Sequence, residues 1–186
     1  MRHLPNIICL LRIALVWPLI LSLRAEDFAT TLWIFAIAAV SDGLDGYLAK
    51  RFGWTSRLGG ILDPLADKLL LVSLFLMASW LGLIPPWLTF IAVARDVMIG
   101  SGALVYRIVF GPLRGRPMAI SKLNTLMQLS YLMGIVMQKV TGFPPHWFMQ
   151  GLLWLTGATI LASGYAYLSE FTARAAGSRV AAAPVR

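Results

Sequence analysis

Apolar residues dominate six stretches of this chain, 7–23, 28–49, 60–82, 86–109, 120–140 and 147–169, with polar or turn-forming segments between them. Each stretch holds about twenty residues, enough for a helix to cross the ~30 Å hydrocarbon layer of a bilayer. The breaks carry the punctuation that stops helices: Arg24 to Asp27, Lys50 to Arg57, Leu83 to Pro86, Gly111 to Pro117, and Gly142 to His146. The pattern predicts an all-α, polytopic membrane protein with six transmembrane helices. Polar groups cluster within the second to fifth stretches, as expected of helices that line a shared polar interior rather than face lipid on all sides.

Composition supports this reading. Of 186 residues, 59% are hydrophobic and 13% charged, too few polar groups to cover a soluble domain of this length. The single cysteine, Cys9, excludes an internal disulfide, and with only His3 and His146 beside it a thiolate or imidazole metal site is not expected. The first stretch follows Arg2 but is interrupted by Arg12 and lacks a small-residue cleavage site, so it reads as a retained helix rather than a secretory signal.

Basic residues gather on one side of the predicted topology: Arg2, then Lys50, Arg51 and Arg57, then Arg114 and Arg116, then Arg174, Arg179 and Arg186. The positive-inside rule therefore places both termini in the cytoplasm. This asymmetry and attraction to anionic headgroups account for the net charge of +8 without a nucleic-acid partner. Residues 1–170 read as one transmembrane domain, and 171–186, rich in Ala and Arg without an apolar period, as a loosely ordered cytoplasmic tail. Trp80, Trp87 and Trp147 near span ends read as interfacial anchors.

The polar exceptions concentrate in four aspartates. Asp42 and Asp45 are three residues apart and Asp63 and Asp67 four, so each pair shares a helix face. Counting rise from the flanking connection puts both pairs about 6–12 Å inside the cytoplasmic end of their helices. Ionised carboxylates at that depth cost several kcal/mol each unless cations compensate them, by roughly the magnitudes known for intramembrane charge. Hard oxygen donors without thiolate or imidazole suit Mg²⁺, Mn²⁺ or Ca²⁺, and four carboxylates balance two such ions. A pair of divalent ions is an arrangement used in phosphoryl transfer. Ion pairing with Arg95, Lys68 or Lys122 is the structural alternative, and small-residue helix packing is the alternative for Gly43, Gly46, Gly59 and Gly60.

At these residues the chain resembles the CDP-alcohol phosphotransferases, whose signature is DxxDGxxAR(x)8G(x)3D(x)3D. Here Asp42, Asp45, Gly46, Ala49, Gly59, Asp63 and Asp67 match at every spacing over 26 residues, and Lys50 stands where the pattern has Arg. The resemblance implies transfer of a phosphatidyl group from a CDP-linked lipid to an alcohol with release of CMP. It also implies that Asp42 and Asp63 bridge two Mg²⁺ or Mn²⁺ ions, that Asp45 completes one site, and that Asp67 completes the other and acts as general base. Gly46, Ala49, Gly59 and Lys50 would then meet the CDP-lipid. The segment PNIICLLR from Pro5 to Arg12 resembles the family's amino-terminal segment, in which Asn and Arg lie near the nucleotide site, and adds Asn6 to that set.

For the acceptor, ARD at Ala94 to Asp96 and SKLNT at Ser121 to Thr125 resemble segments of the eukaryotic-type cardiolipin synthase branch, which implies phosphatidylglycerol. The phosphatidylglycerophosphate synthase branch, using glycerol 3-phosphate, is the alternative. In both cases Arg95 and Lys122 are expected to bind the acceptor's phosphate, while Asp96 reads as the partner of a cation. The resemblance further implies a homodimer among membrane lipids, in a bacterial inner membrane with its active site toward the cytoplasm. A divalent-cation transporter would use the same acids, but such sites usually lie near the midplane between repeats, and no repeat is visible here.

Overall fold

The computed structural model describes residues 4–52, 59–110 and 119–181, with side chains for 10–41, 67–105, 108 and 119–172. Six helices make up these residues: α1 (Leu4–Arg24), α2 (Phe28–Phe52), α3 (Gly59–Trp80), α4 (Pro86–Phe110), α5 (Ala119–Thr141) and α6 (His146–Ala181). No strand occurs among them. The observed ends fall close to the breaks expected from punctuation. Among the described residues, Pro86–Val105 of α4 and His146–Thr172 of α6 are long and apolar enough to cross a membrane.

The ends are set by local chemistry. At the α1 terminus the amides of Glu26 and Asp27 bond back to the carbonyls of Leu23 and Ser22, closing a Schellman turn with Glu26 at φ 57°. Gly82 closes α3 in the same way at φ 69°, where Leu83 N–H reaches the Ala78 carbonyl and Gly82 N–H that of Ser79. Asp27 then caps α2, its Oδ1 accepting from the Thr30 amide at 3.1 Å. Hydrogen bonding from the Thr30 side chain, and then from its amide, holds the Asp27 carboxyl below the usual aspartate range. The cap's contribution is present above the ordinary value and is lost as pH falls through the lowered one.

Glu26 occupies a left-handed conformation that costs a side-chain-bearing residue about 1–2 kcal/mol, against about 0.5–1 kcal/mol of extra chain entropy for glycine. Glu26→Gly is therefore expected to stabilise the α1–α2 turn by about 0.5 kcal/mol, seen as a small rise in Tm in detergent.

The chain divides into two compact units. The first comprises 1–85 and 129–149. Within it α1 packs against both α2 and α3. Arg12, Leu19 and Leu23 form the buried stripe of α1, Thr31, Phe35 and Ala38 that of α2, and Leu70, Leu71, Leu74, Phe75 and Ala78 that of α3. The spacings of three, four and seven are those of single helix faces. Thr31 Oγ1 ties α2 to α1 by donating to Ser22 Oγ at 3.0 Å.

The second unit comprises 86–128 and 150–186. Trp87 of α4 stacks on Trp154 of α6 at 5.5 Å, and Gly157 lets the Trp87 ring approach so closely that a Cβ would lie 3.3 Å from it. Its interior is unusually polar, with Arg95, Asn124, Gln128, Thr156, Thr159 and Ser163 all buried. α6 continues ten residues beyond Phe171, to Ala181, into the segment whose composition reads as a tail. Alanine and arginine are strong helix formers, and a helix already nucleated propagates through them without needing an apolar face.

Candidate active site

The motif residues are carried by α1, α2 and α3, all in the first unit. Asn6 lies in α1, Asp42, Asp45, Gly46, Ala49 and Lys50 in α2, and Gly59, Asp63 and Asp67 in α3. Of these, only Asp67 has a described side chain; the others' side chains lie outside the described residues, as does the connecting segment 53–58. Each aspartate pair sits in unbroken helix, so the spacings of three and four put the members of each pair on one face of their helix. Among the described residues no three of His, Cys, Asp and Glu gather into a metal-binding group.

Asp67 has a partner that the ion-pair alternatives drawn from sequence did not include. Arg12 Nη1, on α1, donates to Asp67 Oδ1 at 2.7 Å. The two ends differ sharply in exposure, with the Arg12 side chain 2% and the Asp67 side chain 43% accessible. A guanidinium so enclosed requires an anion, and the charge-assisted bond is of the short, strong kind. The available signal was Arg12 itself, a cation in the middle of an apolar run, which implies a counter-charge elsewhere in the membrane segment. The partner lies 55 residues away, beyond the reach of any local pattern.

The second unit holds Arg95 and Lys122, in unlike surroundings. Arg95 is 6% exposed. Its Nη1 donates to Asp96 Oδ1 at 2.7 Å, and its Nη2 donates to Ser121 Oγ at 2.8 Å and to Ser163 Oγ. The Tyr167 ring lies 5.8 Å from the guanidinium carbon, within cation–π range. Asp96 is thus the partner of a cation, as expected. The guanidinium joins α4, α5 and α6, while its Nε, like Asn124 Nδ2 and Gln128 Nε2, is buried without a hydrogen-bond partner. Lys122, next to Ser121 on α5, is exposed. Ser163 and Tyr167 were missed by sequence reasoning, because serine and tyrosine on an apolar helix carry no signal of their own.

The enclosed Arg95 and exposed Lys122 make a testable contrast. Arg95→Leu is expected to lower stability by about 3 kcal/mol, the scale for breaking a buried ion pair, and to reduce Tm markedly in detergent. Lys122→Ala should leave Tm unchanged.

The family model described as CDP-alcohol phosphatidyltransferase matches residues 2–162. Cardiolipin synthase (CMP-forming) of Homo sapiens is 33% identical over 180 residues, covering 88% of this chain and 60% of that protein. Cardiolipin synthase (CMP-forming) of Streptomyces coelicolor is 40% identical over 103 residues, 52% of this chain and 47% of that protein. The chloroplastic CDP-diacylglycerol–glycerol-3-phosphate 3-phosphatidyltransferase 1 of Oryza sativa is 28% identical over 187 residues, 89% of this chain and 56% of that protein. The matched region is thus about 60% of the length of the human relative. With the family model covering most of the chain and the four aspartates at the family's spacing within α2 and α3, this chain belongs to the CDP-alcohol phosphatidyltransferase family.

Proposed function

We propose that this chain transfers the phosphatidyl group of CDP-diacylglycerol to an alcohol acceptor and releases CMP, as a step of anionic phospholipid synthesis. The observation that carries the proposal is the unbroken spacing of Asp42, Asp45, Asp63 and Asp67 on two successive helices. A carboxylate-only donor set fits hard divalent cations, and the four aspartates would hold two Mg²⁺ or Mn²⁺ ions. When bound, such ions supply neutralisation of the pyrophosphate and of the departing CMP.

In the reaction, the acceptor hydroxyl oxygen forms a bond to the phosphatidyl phosphorus and the bond from that phosphorus to the CMP oxygen breaks. Asp67, whose side chain is 43% exposed, takes the hydroxyl proton as general base. Gly46 and Gly59 leave room for the cytidine, Ala49 belongs to the same donor site, and Asn6 contacts the nucleotide end of the donor. Lys50 faces the pyrophosphate as a point charge, without the bidentate fork an arginine would offer.

Phosphatidylglycerol is the favoured acceptor, giving cardiolipin. The segments around Arg95 and Lys122 support it, together with similarity to the human and Streptomyces cardiolipin synthases. Glycerol 3-phosphate is the second reading, favoured by the rice relative. In either case Lys122 offers the accessible cation for the acceptor's phosphate, and Arg95 adds positive charge from within α4. Losing one charge-assisted contact of about 1.4 kcal/mol should raise the acceptor KM about tenfold in Lys122→Ala with kcat little changed.

Six spans with both termini cytoplasmic fit the helix lengths and the basic connections. Trp17, Trp33, Phe90, Ile108, Trp154 and Leu161, each more than 60% exposed, give the helices outward apolar surfaces suited to lipid. The favoured setting is a bacterial inner membrane, with the site facing the cytoplasm and the protein a homodimer.

The deciding experiment supplies purified protein with CDP-diacylglycerol and, in turn, phosphatidylglycerol, glycerol 3-phosphate, inositol or serine, and identifies the product lipid by mass spectrometry. Cardiolipin with stoichiometric CMP is expected from phosphatidylglycerol. Absence of CMP with every acceptor, combined with divalent-ion flux in liposomes, would instead establish a transporter.

A further inference from the structure

We propose that Arg12 is a positioning residue for Asp67, holding its carboxylate from α1 in the orientation in which it serves the transfer. The inference rests on the function proposed above and adds to it a residue outside the aspartate motif. It begins from the bond itself, Arg12 Nη1 to Asp67 Oδ1 at 2.7 Å, which joins two helices through residues 55 apart in sequence. A charge-assisted contact this short restrains the carboxylate's rotation about its χ angles.

The asymmetry of burial gives the pair its direction of action. Arg12 is 2% exposed and cannot follow the carboxylate to another rotamer, whereas Asp67 is 43% exposed and open to a substrate. The fixed member is therefore the cation and the presented member is the acid. Arg12 is itself anchored, because it lies on the same stripe of α1 as Leu19 and Leu23, seven and eleven residues along, which are 0% and 1% exposed. α1 packs against both α2 and α3, the two helices that carry the aspartates. Its register thus sets the position of the guanidinium, and through it that of Asp67. Partners that orient a ligating or reacting carboxylate typically change metal affinity or activity by about 10–100-fold when removed.

The test uses the full chain in detergent with Arg12→Lys, Arg12→Gln, Asp67→Asn and the Arg12→Gln/Asp67→Asn double variant. CMP release from CDP-diacylglycerol is measured with phosphatidylglycerol and with glycerol 3-phosphate, and Mn²⁺ affinity by electron paramagnetic resonance. Arg12→Lys keeps the charge but not the fork, so its kcat should fall about tenfold, and that of Arg12→Gln about 100-fold, with KM for CDP-diacylglycerol within threefold of the wild type. Mn²⁺ should bind about tenfold more weakly to Arg12→Gln. In the Asp67→Asn background, Arg12→Gln should cause no further loss of kcat, the mark of two residues acting as a unit.

Wild-type kcat in Arg12→Lys overturns the proposal even if Arg12→Gln does not fold. So does a raised KM at unchanged kcat, which would make Arg12 a substrate ligand. Tighter Mn²⁺ binding in Arg12→Gln overturns it as well, since Arg12 would then be a competitor for the carboxylate. If the wild type releases no CMP with either acceptor, the function reading fails by itself, and the Mn²⁺ measurements still decide the role of Arg12.

Discussion

Asp67→Asn is expected to lower CMP release by about 10²–10⁴-fold, the range contributed by a positioned general base. The substitution conserves size and leaves an amide that can still accept from Arg12 Nη1, so the α1–α3 contact persists while the proton acceptor is lost. Two effects then separate in the measurements. Loss of the base appears in kcat, with the KM for CDP-diacylglycerol near that of the wild type, because the donor contacts proposed above, at Gly46, Ala49, Gly59 and Lys50, are untouched. Weakened cohesion appears in Tm, because a neutral amide replaces the anion beside an arginine that is 2% exposed. Full turnover in this variant would exclude the proposed mechanism outright.

Removal of divalent ions should be equally decisive. In excess chelator CMP release should cease, and added Mg²⁺ or Mn²⁺ should restore it, since an all-carboxylate set selects hard cations. Four carboxylates on two helices repel one another when no cation lies between them, and in a low-dielectric setting that repulsion is poorly screened. A second outcome follows: Mn²⁺ should raise the Tm of the wild type, by an amount that grows with its concentration. The same titration on Asp63→Ala should show a smaller rise. Unchanged activity in chelator would leave the aspartates as structural ion-pair partners and remove the basis for the transfer chemistry.

Much of the helical layout was legible because hydropathy and punctuation are local. Gly82 and Pro86 mark the end of α3 and the start of α4 from within a few residues, and the Asp27 cap of α2 is a short-range device of the same kind. The extension of α6 to Ala181 was not, because amphipathic period was the criterion and intrinsic propensity decided the outcome. In the site, the spacing of the aspartates within α2 and α3 was legible for the same local reason. The partners were not: Arg12 meets Asp67 across 55 residues and Arg95 meets Ser163 across 68, and a single sequence shows a charge in need of compensation without showing what compensates it. Lys122 shows the opposite case. Its neighbour Ser121 receives the Arg95 guanidinium while Lys122 itself stays exposed, a distinction set by which face of α5 each occupies.

The Arg12–Asp67 bond also bears on how the chain is made. On the six-span topology, α1 leaves the ribosome with a mid-helix arginine whose counter-charge has yet to be synthesised. An arginine near the centre of a helix disfavours its insertion by about 2.5–3.5 kcal/mol. The apolar remainder of α1 has to outweigh this until α3 arrives, so lateral release of the first helix into lipid would be delayed until the triplet of α1, α2 and α3 had formed. Arrest of translation between Arg24 and Gly59 would then strand α1 at the insertion machinery, whereas arrest beyond Trp80 would let it partition with its companion.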